Sequence, residues 1–275
     1  MTIHPQDLRL LIDVLHRECG LWLSAEQEYL LRARLLPVAD RHGVSDIAGV
    51  AREIRMGSSH ILRDVIEAMS THETSFFRDM APFRDLQEKI LPCLMRARAA
   101  DRTLRLWSAG CASGQEPYSL AMLLQDMGLT AAGWKYHIDA TDISLSVLER
   151  ARQGVYSSFD VQRGVPTPAL LRHFDGADGQ WTLKPAIREV VQFRQLNLLD
   201  GTAAMGMFDV IFCRNVLIYF DPSTREKVLA ALRGNMKRDA VLFLGAAEAP
   251  PPPAARLQPY GGVAGAYQRD DAMRE

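Results

Sequence analysis

The stretch Phe208-Asp209-Val210-Ile211-Phe212-Cys213-Arg214-Asn215-Val216-Leu217-Ile218-Tyr219-Phe220-Asp221 decides how the rest of the chain is read. Its first six residues, Phe208 to Cys213, are apolar enough to form a strand buried on both faces. An arginine and an asparagine follow at once. A guanidinium is almost never left inside a core, so the strand has to end at Arg214 and open onto something polar. A ligand at the strand end is the expectation.

Reading outward, residues 222–236 have a helical pattern and 240–244 that of a strand. Upstream, Leu104-Arg105-Leu106-Trp107-Ser108 reads as a strand, 117–127 as a helix, 134–141 as a strand and 145–152 as a helix. Alternation of this kind is the signature of a doubly wound α/β sheet. Between residues 155 and 193 it breaks into short β-like pieces, 180–183 and 190–193, around Gly176 and Gly179, which predicts a small β subdomain inserted into the sheet domain. Ala249-Pro250-Pro251-Pro252-Pro253 can continue neither helix nor ladder and reads as a loop before a last strand near Gly265-Ala266-Tyr267.

Residues 1–70 are helical in pattern: Leu8, Leu11, Ile12 and Leu15 form one apolar stripe, and Leu30, Leu31, Leu35 and Val38 a second. Ser24 followed by Gln27 has the form of a capping box for the second helix, and His42-Gly43 ends it. Two shorter helices are expected at 45–56 and 59–69. The predicted organisation is therefore an all-α domain over 1–70, a linking segment and helix over 71–98, and an α/β domain over 99–275 carrying the insertion at about 155–193.

A length of 275 residues with 48% hydrophobic content supports one sizeable core and a smaller second one. A net charge of −1 and a pI near 6.7 provide no global field to recruit nucleic acid or an anionic membrane. The four cysteines are scattered without a CxxC pair, and no His/Cys spacing suits zinc, so no metal is expected and a reducing, cytoplasmic setting fits best. The N-terminus lacks the form of a signal peptide, and no apolar run approaches the roughly 20 residues of a membrane span. Basic charge within residues 1–70 is wholly arginine, 8 of them and no lysine, beside 10 acidic residues.

The chemistry-bearing positions lie at strand ends. After the first strand comes Ser108-Ala109-Gly110-Cys111-Ala112-Ser113-Gly114, and a helix opens with Gln115-Glu116-Pro117-Tyr118. Small residues there let a backbone approach a ligand closely, although such a turn can also be only a tight turn. The second strand ends at Asp142, which suits a ribose diol and equally suits the N-cap of the helix at Leu145. Glu116 at the helix mouth would repel a pyrophosphate and tolerate a cationic cofactor without phosphates, which tilts the reading from a nicotinamide cofactor toward S-adenosylmethionine (SAM). Its other reading is as a complement to the helix dipole. Cys111, Cys213, Phe76 and Phe77 are read as packing residues.

Five ordered motifs then carry a family resemblance: Ser70-Thr71-His72-Glu73-Thr74-Ser75-Phe76-Phe77-Arg78-Asp79, residues 107–119, Ala140-Thr141-Asp142-Ile143, Asn197-Leu198-Leu199, and the stretch from Phe208 to Asp221. Together they resemble the CheR family of chemotaxis receptor methyltransferases over nearly the whole chain. The resemblance implies a Rossmann-like SAM-dependent methyltransferase domain with an antiparallel β insertion, preceded by an all-α domain. It implies a SAM site, with S-adenosylhomocysteine as product, formed by His72, Thr74, Arg78, Gly110, Glu116, Asp142, Ile143, Asn197, Leu198, Arg214 and Asn215. Arg78, Arg214 and Tyr219 would be the catalytic residues.

Where many relatives have asparagine, this chain has His72, which can still donate a hydrogen bond. Ala246-Ala247 precede Glu248 where a serine is frequent, a departure outside the motifs and expected to matter little. The implied reaction is methyl transfer to a glutamate side chain of a methyl-accepting chemoreceptor, giving a γ-methyl ester. No general base is needed, because glutamate is already ionised at neutral pH. Arg32, Arg34 and Arg41 would meet acidic residues of the receptor's cytoplasmic helices, or simply form a solvated face. The short stretch after Phe174 favours recognition without a receptor tail peptide. The expected partner set is the receptor alone, with no nucleic acid, no membrane insertion and a monomeric enzyme. The competing readings are a SAM-binding signalling adaptor with little activity, a methyltransferase of another protein carboxylate, one acting on nucleic acid or a small molecule, and, last, a nicotinamide dehydrogenase.

Overall fold

A computed structural model of the chain describes residues 3–249 and 256–272. The loop expected at Pro250 to Pro253 lies outside the described residues. Two compact units result, one of Met1–Thr71 with Tyr219–Arg225, the other of His72–Ile218 with Glu226–Glu275.

The first unit is four helices. α1 (Pro5–Cys19) begins with proline at its first position and ends on Gly20 in the left-handed region, φ 74°. A 3₁₀ turn (Ala25–Gln27) leads into α2 (Glu28–Arg41), and the Ser24 N–H donates to Gln27 Oε1 at 2.9 Å. α3 (Ile47–Arg55) is capped by Asp46, whose Oδ1 accepts from the Gly49 N–H, and α4 (Ser59–Met69) follows. Their apolar stripes meet in one core built on Leu11, Leu15, Leu31, Leu35, Val50 and Val65. The segment Tyr219–Arg225 joins this unit through an antiparallel bridge of Leu21 with Phe220 and a Trp22 N–H donated to the Tyr219 carbonyl at 2.9 Å.

The second unit begins with α5 (Ala81–Asp85), a π-helical turn (Leu86–Ile90) and α6 (Leu91–Ala97), where the sequence pattern predicts one continuous helix. Pro92 cannot donate the bond an α-helix needs at that position, and the helix accommodates it by widening the turn before it. The main sheet comprises β1 (Thr103–Ala109), β2 (Lys135–Asp142), β6 (Val191–Gln195), β7 (Phe208–Cys213), β8 (Met236–Leu244), β9 (Leu257–Pro259) and β10 (Ala266–Arg269). Its order is β6-β2-β1-β7-β8-β10-β9, parallel from β6 to β8 and antiparallel over the last two. Helices α7 (Gln115–Asp126), α8 (Leu145–Gln153) and α11 (Pro222–Gly234) follow β1, β2 and β7 respectively.

The insertion is a second, three-stranded antiparallel sheet of β3 (Val155–Ser157), β5 (Gln180–Leu183) and β4 (Phe174–Ala177) in that order, with the short helices α9 (Ser158–Gln162) and α10 (Thr167–His173). It is smaller than the 155–193 expected. The last apolar piece is β6, which pairs parallel to β2 as the edge strand of the main sheet. A short apolar run serves either sheet equally well, and only its pairing decides. No helix among the described residues is long and apolar enough to cross a membrane.

Candidate functional site

All three central strands run the same way, so β1, β2 and β7 end along one edge, the usual ligand crevice of such sheets. After β1 the Gly110 and Cys111 N–H groups both donate to the Thr141 carbonyl of β2, at 2.8 and 2.9 Å. The Ala112 N–H donates to Asp142 Oδ2 at 2.8 Å, and the Ser144 N–H to Oδ1 at 3.0 Å. The N-cap of α8 is Ser144, whose Oγ accepts from the Val147 N–H. That leaves Asp142 to brace the turn and removes its reading as a cap. Gly110 has φ 73°, and a Cβ there would stand 2.4 Å from Cγ2 of Val216, so the β1 turn and the segment after β7 pack without room for a side chain.

Arg214 leaves β7 with its side chain only 2% exposed. One guanidinium nitrogen meets Glu116 Oε2 at 3.4 Å and the other Asp79 Oδ2 at 2.5 Å, while Phe83 lies beneath it. Glu116, buried in the first turn of α7, also accepts from Ser108 Oγ at 2.8 Å. Burial pushes its carboxyl above the usual glutamate value, and Arg214 and the Ser108 hydroxyl oppose that rise. Both its oxygens are engaged, so Arg214 and Ser108 offset part of its charge in place. The inference from repulsion of a pyrophosphate therefore loses its force.

The remaining predicted residues fall around this centre. His72 Nε2 lies 3.9 Å from Asp142 Oδ1. Arg78, half-buried, donates to the Glu73 carbonyl at 3.1 Å, with Thr74 half-buried between them in sequence. The Ile143 carbonyl accepts from Gln195 Nε2 at 2.9 Å, and the Leu196 N–H donates to the Asp142 carbonyl, which carries Asn197 and buried Leu198 to the tip of β2. Tyr219, Arg32, Arg34 and Arg41 belong to the first unit. There Arg34 donates to the Met69 and Ser70 carbonyls and to Thr71 Oγ1, closing the C-terminal end of α4, and Arg41 pairs with Asp64. Cys111 and Cys213 are buried, and burial pushes both thiols up, away from thiolate chemistry.

Two observations indicate that the centre is shaped for a ligand. Four buried side-chain polar atoms lack a hydrogen-bond partner among the described residues, and three of them are here: His72 Nε2, Arg214 Nε and Asn215 Oδ1. A guanidinium donor next to an amide acceptor after β7 fits the amino-acid end of a molecule such as SAM, which offers both a carboxylate and an amine, while the imidazole lies at the tip of β2 near Asp142. The second is backbone strain: Phe77, Asp79, Met80, Ala112 and Asn215, none of them glycine, have φ between 42° and 66°. Asp79 and Glu248 are absent from the predicted set. Asp79 is adjacent in sequence to the predicted Arg78, which was the available signal; Glu248 bonds only to backbone and leaves none.

Strand order, glycine turn and the acidic tip of β2 together define a Rossmann-like fold with a nucleoside-type cofactor site. Residues 72–258 match the family model described as "CheR methyltransferase, SAM binding domain". The chain is 40% identical to Chemotaxis protein methyltransferase 1 of Pseudomonas aeruginosa, over 90% of this chain and 92% of that one. It is 39% identical to Chemotaxis protein methyltransferase Cher2 of Pseudomonas putida (86% and 87%) and to the Chemotaxis protein methyltransferase of Vibrio parahaemolyticus (90% of each). Among solved structures, PKMT2 from Rickettsia typhi in complex with AdoHcy matches at 15% identity and a TM-score of 0.38, over 64% of this chain and 26% of that one, too distantly to bear on the reaction. The chain belongs to the CheR methyltransferase family, and its second unit is a SAM-dependent methyltransferase domain.

Proposed function

We propose that this protein transfers the methyl group of SAM to glutamate side chains of a chemoreceptor, forming γ-methyl esters in chemotactic adaptation. The observation that carries the reading is the near full-length similarity to chemotaxis protein methyltransferases, joined to a strand edge that holds buried polar groups in reserve. SAM, when bound, supplies an activated methyl group on a sulfonium.

The residues proposed to hold it are His72, Thr74, Arg78, Gly110, Glu116, Asp142, Ile143, Asn197, Leu198, Arg214 and Asn215. Asp142, already oriented by the Ala112 and Ser144 N–H groups, takes the ribose hydroxyls. Arg214 has two protein carboxylates on its terminal nitrogens, which supports a role in shaping the site through its remaining Nε rather than as a clamp on the substrate. That leaves Arg78 as the cation nearest in role to an incoming carboxylate, with the Tyr219 hydroxyl holding that carboxylate for attack. The receptor glutamate is ionised at neutral pH, so no base is required and the protein's contribution is positioning, which can reach roughly 7–11 kcal/mol.

For the receptor's cytoplasmic helices, Arg32 and Arg41 are the proposed contacts. Arg34 is committed to the end of α4, and Arg32 forms no ion pair among the described residues. One chain carries every residue used, so the scheme needs no second copy. The test is incubation with methyl-labelled SAM and receptor-containing membranes, then alkaline treatment. Base-labile label on the receptor, released as methanol, is the expected result; cofactor binding with no label on receptors would favour the adaptor reading instead.

A further inference from the structure

We infer that Glu248 is a positioning residue for the methyl-transfer site, fixing the turn that carries Arg214 and Asn215. The residue follows β8 and is 4% exposed. Its Oε2 accepts from the Asn215 N–H at 2.6 Å and the Gly245 N–H at 2.8 Å, and its Oε1 accepts from the Ile218 N–H at 3.1 Å. One carboxylate thus ties both ends of residues 215–218 to the end of the neighbouring strand. The need is physical: beyond Cys213 the chain leaves the ladder, Asn215 sits at φ 60°, and backbone N–H groups withdrawn from water must find acceptors. An ionised acceptor makes the strongest such bonds. Glu248 forms no salt bridge among the described residues, and the hydrogen bonds to its carboxyl oxygens all come from backbone N–H groups.

Gly245 supplies an independent sign that the contact is built in. A Cβ at that position would stand 2.6 Å from Glu248 Oε2 and 3.0 Å from the Asn215 nitrogen, so only glycine allows the carboxylate its place. From the other side, Val216 fills the space left by the missing side chain of Gly110. The turn is therefore held by β8 on one side and by the β1 turn on the other, and the orphaned atoms of Arg214 and Asn215 are aimed by that grip.

The inference rests on the proposed methyl transfer, and its test separates the two. Glu248→Gln, Glu248→Ala and Gly245→Ala are made in the full chain, and each is assayed at a temperature where it is folded. A glutamine keeps one carbonyl oxygen for Asn215 and Gly245 and must turn its NH₂ on the Ile218 N–H. Turnover of Glu248→Gln should fall roughly 10–100-fold, the scale of an ångström's misplacement, with S-adenosylhomocysteine affinity in calorimetry within about threefold. Glu248→Ala and Gly245→Ala free Asn215 as well and should lose that affinity tenfold or more. Variants that melt earlier yet bind and turn over like the parent would reduce Glu248 to a structural part and overturn the inference. Product affinity needs no receptor, so an inactive parent that binds S-adenosylhomocysteine would sink the proposed reaction and leave the Asn215 arm decidable.

Discussion

Strand β7 carries a buried charge at each end, and the two ends are built on opposite terms. At its start, Asp209 is fully buried and saturated: it accepts from Arg98 Nε, from Lys237 Nζ and from the Arg105 N–H, all at 2.8–3.0 Å. Arg98 is in turn shared with Asp239. At its end, Arg214 keeps a buried nitrogen unused, Asn215 a buried oxygen, and five nearby residues hold strained backbone. A saturated charge stabilises only the fold that surrounds it. An unsaturated one, held in place by strain and burial, is kept for something the chain itself lacks.

That contrast breaks if the two ends respond alike to mutation. Asp209→Ala removes the acceptor of three donors and should destabilise by about 3 kcal/mol in urea unfolding, the low end for a broken buried pair because Arg98 retains Asp239 and Lys237 is partly exposed. Its turnover per folded molecule should match the parent. Arg214→Met should do the reverse, costing about 100-fold or more in turnover with a smaller loss of stability, since Glu116 is already biased toward its neutral form and can protonate. Equal stability losses with equal residual activities would dissolve the distinction.

How legible each end is from sequence follows from the kind of partner involved. β7 is predicted to the residue, because a run with five apolar residues in six, closed by arginine, has one reading, even with Asp209 at its second position. The same is true of α4, where periodicity and length agree. Asp79 is not legible as a partner of Arg214, since they are 135 positions apart and nothing local in either marks the other. Glu248 is less so, because backbone N–H groups leave no pattern in a sequence. Arg34 shows the converse: a helical position says that a guanidinium is present, not which way it turns, and this one donates to the end of its own unit's α4. β6 could belong to either sheet until its pairing with β2 is known.

Between these large effects and the smallest lies Tyr219, which belongs to the segment that joins the helical unit. Tyr219→Phe removes one hydroxyl and should lower turnover about tenfold, roughly 1.4 kcal/mol of barrier, with S-adenosylhomocysteine affinity unchanged in calorimetry. An unchanged turnover would remove the tyrosine from the chemistry and leave the Arg214 end to act alone.

The finest test of the contrast is one of slope with pH. Burial holds the Glu116 carboxyl above its ordinary value of 4.5, so in a window opening at that value and closing at the raised one the folded state binds a proton that the unfolded state has released. The stability this contributes is fully present below 4.5 and is lost as pH rises through the raised value. Glu116→Gln carries no such proton. The parent's melting temperature should therefore decline relative to the variant's as pH is raised from about 4 to 7, by a few degrees at most. Comparing slopes rather than absolute stabilities separates the titration from the lost Arg214 pairing, which offsets the variant at every pH. A parent-to-variant difference that stays flat or grows with pH would mean that Arg214 and Ser108 outweigh burial at Glu116, and that this end of β7 is as fully compensated as the other.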